Sequence, residues 1–198
     1  MSKQKFIIPH NFAISKKERE ELNKHKGILI WFTGISGSGK STLAGMLEYV
    51  LHQKGIHTYI LDGDNVRSGL NKDLDFSDEG RVENIRRIAE VANLLVDAGL
   101  VVMASFISPF KSERALARDL VGKENFIEIF VDCNLETAEG RDVKGLYKKA
   151  RAGIIPNFTG ISSPYEKPEK ADVSVNSSTE SKEESLSKIM AFIDTRLK

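Results

Sequence analysis

Cysteine is nearly missing from this sequence: Cys133 stands alone among 198 residues. A single thiol excludes an internal disulfide and a metal site built on cysteines. Cys133 closes an apolar run that starts at Phe126, and it reads as an inert core residue. An excess of one charge is also missing. Lys and Arg number 29 against 28 Asp and Glu, for a formal net charge of +1. No global field therefore draws the chain to nucleic acid or to a membrane surface. A basic face carrying an aromatic platform is absent too, which argues against nucleic-acid binding. No stretch approaches the length of a transmembrane span. Phe6-Ile7-Ile8 is too short for the apolar core of a signal peptide. The cytoplasm is the expected location, with no membrane partner. Internal repeats and low-complexity tracts are absent, and the length suits one domain with a short arm.

What the chain does have is a dense glycine-serine stretch, Gly34-Ile35-Ser36-Gly37-Ser38-Gly39-Lys40-Ser41, followed by Thr42. It satisfies G-x-x-x-x-G-K-[ST] at every fixed position. Its context fits as well: the apolar run Ile28–Phe32 leads in as a buried strand, and the amphipathic stretch Leu43–Leu51 leads out as a helix. Glycines let the backbone curl so that successive N–H groups face a phosphate. The helix start adds its positive dipole end at the same place. Lys40 can reach the β- and γ-phosphates, and the Ser41 hydroxyl is placed to hold Mg²⁺. ATP and Mg²⁺ are the cofactors expected.

Further strands are expected at His57–Leu61, Leu100–Phe106, Phe126–Val131 and Asp172–Val175. Between them lie helical patterns. Val82, Ile85, Ala89, Ala92, Leu95 and Val96 share one face of a long helix that should stop at Gly99. Ser181 and Glu184 form a capping box for a last helix burying Leu186, Ile189, Met190, Ile193 and Leu197. Such alternation predicts an α/β three-layer sandwich, a parallel sheet with helices on both faces. Residues 1–26 read as an N-terminal arm, and 27–198 as the domain. Phe6, Ile7, Ile8, Phe12 and Ile14 are apolar enough to pack onto something, either the arm's own domain or a second copy. A charged helix should follow Ser15.

Ligands of parallel sheets bind beyond the carboxyl ends of the strands. That rule selects Gly34–Ser41, Asp62–Asn65, Ser105–Pro109 and the chain after Cys133. Asp62 and Asp64 could orient an acceptor hydroxyl or organise Mg²⁺ through water; the plainer reading is a turn that caps a helix. Arg67 follows this turn and should face the site. Arg81 and Asn84 lie one helical turn apart and can grip an anion. Arg86 and Arg87 suit solvated or structural faces. Phe76 could stack on a base or sit in the core. Ser108 could be a phosphate ligand, a cap or a nucleophile, yet nothing nearby resembles a dedicated base. The segment 141–168 is rich in Lys, Arg, Gly and Pro, with little apolar periodicity beyond Leu146-Tyr147. So long a connection reads as a lid over a phosphate-transfer site.

Taken in order, Gly34–Thr42, Asp62-Gly-Asp-Asn-Val-Arg67, Glu83-Asn-Ile-Arg-Arg87, Phe106-Ile-Ser-Pro109, the Lys144–Gly153 block and Phe158-Thr-Gly160 resemble adenylylsulfate kinases (APS kinases). The likeness runs from about His10 to the C-terminus, and the Phe106–Pro109 and Lys144–Gly153 blocks are its most specific parts. It implies a P-loop fold with strand order 2-3-1-4-5. It implies transfer of the ATP γ-phosphoryl to the 3′-hydroxyl of adenosine 5′-phosphosulfate, giving 3′-phosphoadenosine 5′-phosphosulfate and ADP in sulfate assimilation. It assigns Gly34–Thr42 to ATP, and Asp62, with Asp64, to the transfer site. Arg67, Arg81, Asn84, Ile107 and Ser108 would hold the acceptor; Phe76 and Phe158 would sandwich its adenine; Lys144 would reach in from the lid. Ser108 also matches a serine described in the family as a phosphoserine intermediate, although direct in-line transfer needs no enzyme nucleophile. The resemblance further suggests a homodimer. The length leaves no room for a fused ATP sulfurylase, so adenylylsulfate should come from a separate protein.

The sequence departs from the family at Ser68 (usually His), Asp75 (usually Gly), Gly140 (usually larger) and Val143 (usually Pro). Asp75 matters most, since it adds negative charge beside Phe76 near an anionic acceptor.

Overall fold

The computed structural model describes residues 8, 10, 12–142 and 144–197. Phe6, Ile7 and Val143 fall outside them. Five parallel strands form one sheet in the order β2-β3-β1-β4-β5. They are β1 (Ile28–Thr33), β2 (Thr58–Asp62), β3 (Val101–Ser105), β4 (Phe126–Asp132) and β5 (Val173–Asn176). All four pairings are parallel, as the alternation of strand and helix predicts.

β1 is buried along its whole length. Its alternate residues divide two cores, because successive strand side chains face opposite sides. Ile28, Ile30 and Phe32 join Leu43, Leu47 and Leu51 of α2 (Lys40–Gln53) and Ile189 and Ile193 of α8 (Lys182–Ile193). Leu29 and Trp31 join Ile85, Ile88, Ala89 and Ala92 of α4 (Asp78–Asp97) and Ala117 of α5 (Lys111–Val121). Each such fully buried large side chain contributes about 1.5–3 kcal/mol.

The remaining helices are short: α1 (Lys16–Asn23), α3 (Gly63–Ser68), α6 (Leu135–Arg141) and α7 (Leu146–Arg151). The capping box expected at Ser181 starts α8, and the charged helix expected after Ser15 also starts with one. α1 lies on its own domain through polar contacts: Arg19 to Asp97, Asn23 to the Gly99 carbonyl and Lys16 to Asn125. Ile8, Phe12 and Ile14 do not share this contact and stay exposed. Val82 also departs from expectation. It lies early in α4 and is 49% exposed, while Ile88 on the same helix is fully buried.

The segment 141–168 has more structure than its composition implies. It holds α7 and packs Tyr147 and Phe158 into a small core with Cys133 and Ala138. The apolar residues are spread too widely to show helical periodicity. No helix among the described residues is long and apolar enough to cross a membrane.

Candidate active site

Register decides what meets at the carboxyl edge. Asp62 pairs with Ser105, and Ser105 pairs with Phe32. The glycine-rich loop leaves β1 one residue later, so the ends of β1, β2 and β3 open side by side. In that loop Gly34 has φ 151°, and a Cβ there would stand 2.5 Å from the Val131 carbonyl. Gly39 has φ 98° and caps α2. These two positions need glycine, and together they turn the loop toward the α2 N-terminus. The buried Ser38 hydroxyl has no partner inside this cradle.

Lys40 is buried and donates to the Ile35 carbonyl at 2.9 Å. Burial lowers its ammonium pKa to about 8; Asp62 opposes the shift and Lys144 adds to it. The Ser41 hydroxyl donates to Asp62 Oδ2 at 2.6 Å and lies 3.1 Å from the Ser105 hydroxyl. Three hard oxygen donors thus cluster beside the phosphate cradle, a set that suits Mg²⁺ sharing its remaining positions with phosphate and water. The capping reading of Asp62 holds, and one carboxylate oxygen is left over from it. It caps α3, with Oδ1 accepting from the Asp64 amide at 3.1 Å, and leaves Oδ2 for Ser41. Asp64 pairs with Lys144, which brings the 141–168 segment across to the end of β2. Tyr147 donates to the Ser36 carbonyl at 2.7 Å, and Arg141 donates to that of Gly37 at 3.3 Å. The segment is therefore fastened directly to the phosphate loop.

A second cluster lies beyond the first. Arg67 stacks over Phe76 at 4.4 Å and donates to the Leu74 and Asp75 carbonyls. Its pKa is lowered by burial and then by the nearby positive charge of Arg81. Arg81 donates to the Asn157 carbonyl at 2.5 Å, next to Phe158. Asn84 is buried and accepts from Asn71 at 2.9 Å. Among the described residues neither guanidinium has a carboxylate partner, and such a neighbouring pair has the chemistry to grip an anion. Phe76 is 65% exposed, which removes the core alternative for it. Phe158 is only 8% exposed and meets Tyr147 edge-on at 5.0 Å. Asp75 turns away from this space. Its Oδ1 accepts from the Ser77 amide and hydroxyl at the start of α4, folded against Gly80. Ser68 bonds only locally, to the Asn65 carbonyl. A Cβ at Gly140 would meet nothing within 4 Å. Arg86 and Arg87 pair with Glu83, and Arg87 also with Asp73, on the structural face expected of them.

Ser108 sits apart from both clusters' open space. It is buried at φ 39°, accepts from the Trp31 indole N–H at 2.9 Å and donates to Thr33 at 3.1 Å. Thr33 in turn reaches the Ile107 carbonyl at 2.8 Å and the Tyr165 hydroxyl at 2.8 Å. Arg114 locks the same turn from below, donating to the Ser108 and Glu166 carbonyls and to Glu128. Sequence reasoning placed Ser105 at the carboxyl edge but gave it no partner, and it missed the contacts of Thr33, Tyr165, Arg114 and Asn71. Each of these contacts joins segments far apart or on different elements, so no local pattern signals it.

The chain matches the family model described as adenylylsulphate kinase over residues 26–176. It belongs to the adenylylsulfate kinase family. It is 60% identical over 167 residues to the adenylyl-sulfate kinase of Citrobacter koseri, covering 84% of this chain and 83% of that one. Against the adenylyl-sulfate kinase of Escherichia coli it is 57% identical over 170 residues, covering 86% and 85%. Among solved structures it is similar to the Mycobacterium tuberculosis APS kinase CysC in complex with AMPPNP and APS. That likeness has a TM-score of 0.82 and 47% identity, covering 85% of this chain and 98% of that chain. The family expectation for fold is met in full, including the strand order.

Proposed function

We propose that this protein transfers the γ-phosphoryl group of ATP to the 3′-hydroxyl of adenosine 5′-phosphosulfate, releasing ADP and 3′-phosphoadenosine 5′-phosphosulfate. The contact that carries this reading is Ser41 to Asp62 at 2.6 Å. It sets the one carboxylate of the β2 end directly against the loop that would hold the γ-phosphoryl.

The residues divide the work as follows. The Gly34–Thr42 backbone cradles the triphosphate, and Lys40 swings from the Ile35 carbonyl to the β- and γ-phosphates. Ser41 and Asp62 would hold Mg²⁺, which when bound would supply charge neutralisation at the phosphates. Asp62 orients the acceptor hydroxyl and takes its proton. Arg67 and Arg81 hold the acceptor's phosphosulfate, while Asn84, fixed by Asn71, and the Ile107–Ser108 backbone shape the pocket. Phe76 and Phe158 bracket the adenine. Lys144 leaves Asp64 for the transferring group as the lid closes. Ser108 holds the turn after β3 rather than carrying phosphate, because its hydroxyl is buried and already has both a donor and an acceptor partner. A homodimer, and adenylylsulfate delivered by a separate sulfurylase, belong to the same reading.

A coupled assay tests it. Mg-ATP and adenosine 5′-phosphosulfate should yield ADP and the 3′-phosphorylated product in equal amounts, and Lys40→Ala should abolish both. ATP binding without product, or ADP formed only with other acceptors, would overturn the assignment.

A further inference from the structure

Two buried polar atoms, one on α4 and one on α5, have no hydrogen-bond partner among the described residues. One is Oε1 of Glu113, the other a terminal nitrogen (Nη1) of Arg81. Glu113 stands in the first turn of α5, directly after the Phe106–Pro109 turn, and its residue is almost wholly buried. Its second oxygen accepts from the Phe110 amide at 3.3 Å, so that oxygen caps the helix. Arg81 stands in the first turn of α4, with its other terminal nitrogen on the Asn157 carbonyl. A buried carboxylate oxygen and a buried guanidinium nitrogen left unpaired are each costly. The two unpaired groups stand on adjoining helices, are opposite in charge, and the Arg81 charge is felt at Glu113.

The other charges around Glu113 are engaged elsewhere. Arg114 serves Glu128 and the carbonyls of Ser108 and Glu166. Arg86, which lines the same groove, is held by Glu83. Glu166 accepts from the Lys111 amide. Arg81 is the cation left over, and its charge is felt at Glu113.

We propose that Glu113 is the positioning residue for Arg81: on acceptor binding its free oxygen receives the free Arg81 nitrogen and aims the guanidinium at the acceptor's anionic group. This rests on the reading of Arg81 as an acceptor ligand. Glu113 touches neither substrate. It acts by fixing one edge of a planar fork whose opposite edge binds the ligand, which is how bidentate arginines gain precision.

A pH dependence follows. Burial pushes the Glu113 carboxyl up to about 7, opposed by the Phe110 N–H, Arg114 and Arg81, with Glu166 pushing further upward. Above neutrality Glu113 is ionised and can anchor Arg81. Below it the carboxyl is protonated and the anchor is lost. The acceptor KM should therefore rise as pH falls from 8 to 6, at saturating Mg-ATP, with little change in kcat.

The experiment is a double-mutant cycle read on acceptor KM and kcat, with the wild-type pH profile beside it. Glu113→Gln keeps an oxygen for the Phe110 cap but never carries charge. It should raise acceptor KM about fivefold at pH 8, leave kcat within about twofold and flatten the pH profile. Arg81→Ala should raise KM further, and the double variant should be no worse than Arg81→Ala alone, because one contact is lost once. If Arg81→Ala leaves KM unchanged, the acceptor role of Arg81 falls and this inference with it. If Arg81→Ala raises KM while Glu113→Gln does not, or the two effects simply add, the inference alone is overturned. Should Glu113→Gln fail to fold, the wild-type profile decides: a KM that is flat or falls toward pH 6 refutes the coupling.

Discussion

The Ser41 hydroxyl donates to Oδ2 of Asp62, while Oδ1 of the same carboxylate accepts from the Asp64 amide. One side chain thus joins the phosphate loop to the end of β2 and also starts α3. The two tasks separate on mutation. Asp62→Asn keeps an oxygen for the cap, so thermal stability should change by less than about 1 kcal/mol. Its kcat should fall by about 10²-fold or more, because the amide cannot take a proton from the acceptor. A variant with near-normal kcat would remove Asp62 from the chemistry.

Lys40 makes nucleotide binding pH-dependent. Burial holds its pKa near 8 in the free protein, and bound phosphates will raise it. Between those two values binding takes up a proton. Affinity is complete below pH 8 and falls above it, by up to about tenfold per pH unit. Calorimetry at pH 8.5 in two buffers of different ionisation enthalpy should show uptake approaching one proton, and none with Lys40→Ala.

Ser108 should behave as a structural residue. Ser108→Ala leaves the Trp31 indole N–H without its partner and removes one contact of the Thr33 hydroxyl. Denaturant unfolding should report a loss of about 1–3 kcal/mol. The kcat should stay within about tenfold of wild type, since in-line transfer passes through no enzyme-bound phosphate. Intact stability with a collapse of kcat would reverse the assignment.

The two phenylalanines should separate binding from folding. Phe76 is exposed, so Phe76→Ala should leave stability within about 0.5 kcal/mol. It should weaken acceptor binding by about 1–3 kcal/mol, the worth of one stacked base. Phe158 sits in the small core with Tyr147 and Cys133, so Phe158→Ala should cost about 3 kcal/mol of stability as well as affinity. Parallel urea titrations and acceptor KM values for the two variants check the contrast.

Much of this was legible in the sequence, for identifiable reasons. β1 and the glycine loop carry their pattern within adjacent residues, and Ser181 with Glu184 announces a helix start over three. The phosphate loop, the Asp62 turn and the Arg81–Asn84 pair can be picked out in the sequence because each cluster is local in the chain. What stayed hidden depends on contacts between distant segments. Tyr165 bonds to Thr33 across 132 positions, and Tyr147 to the Ser36 carbonyl across 111. Arg114 reads as one more charged residue on an amphipathic helix until the sheet places it under the Ser108 turn. The exposure of Val82 escaped for the same reason: periodicity gives the face of a helix but not which of its residues another element covers.

Trp31 is the chain's single tryptophan, fully buried in the central strand, with its indole N–H on Ser108 and Phe106 stacked alongside at 5.9 Å. Its emission therefore comes from one environment only. The indole is two residues from Thr33, which holds Tyr165 at the far end of the 141–168 segment. Movement of that segment, as the proposed lid requires, would reach the chromophore through two hydroxyls and read as a shift in intrinsic fluorescence. On that reading the protein carries its own optical reporter, with no dye attached and no second tryptophan to subtract.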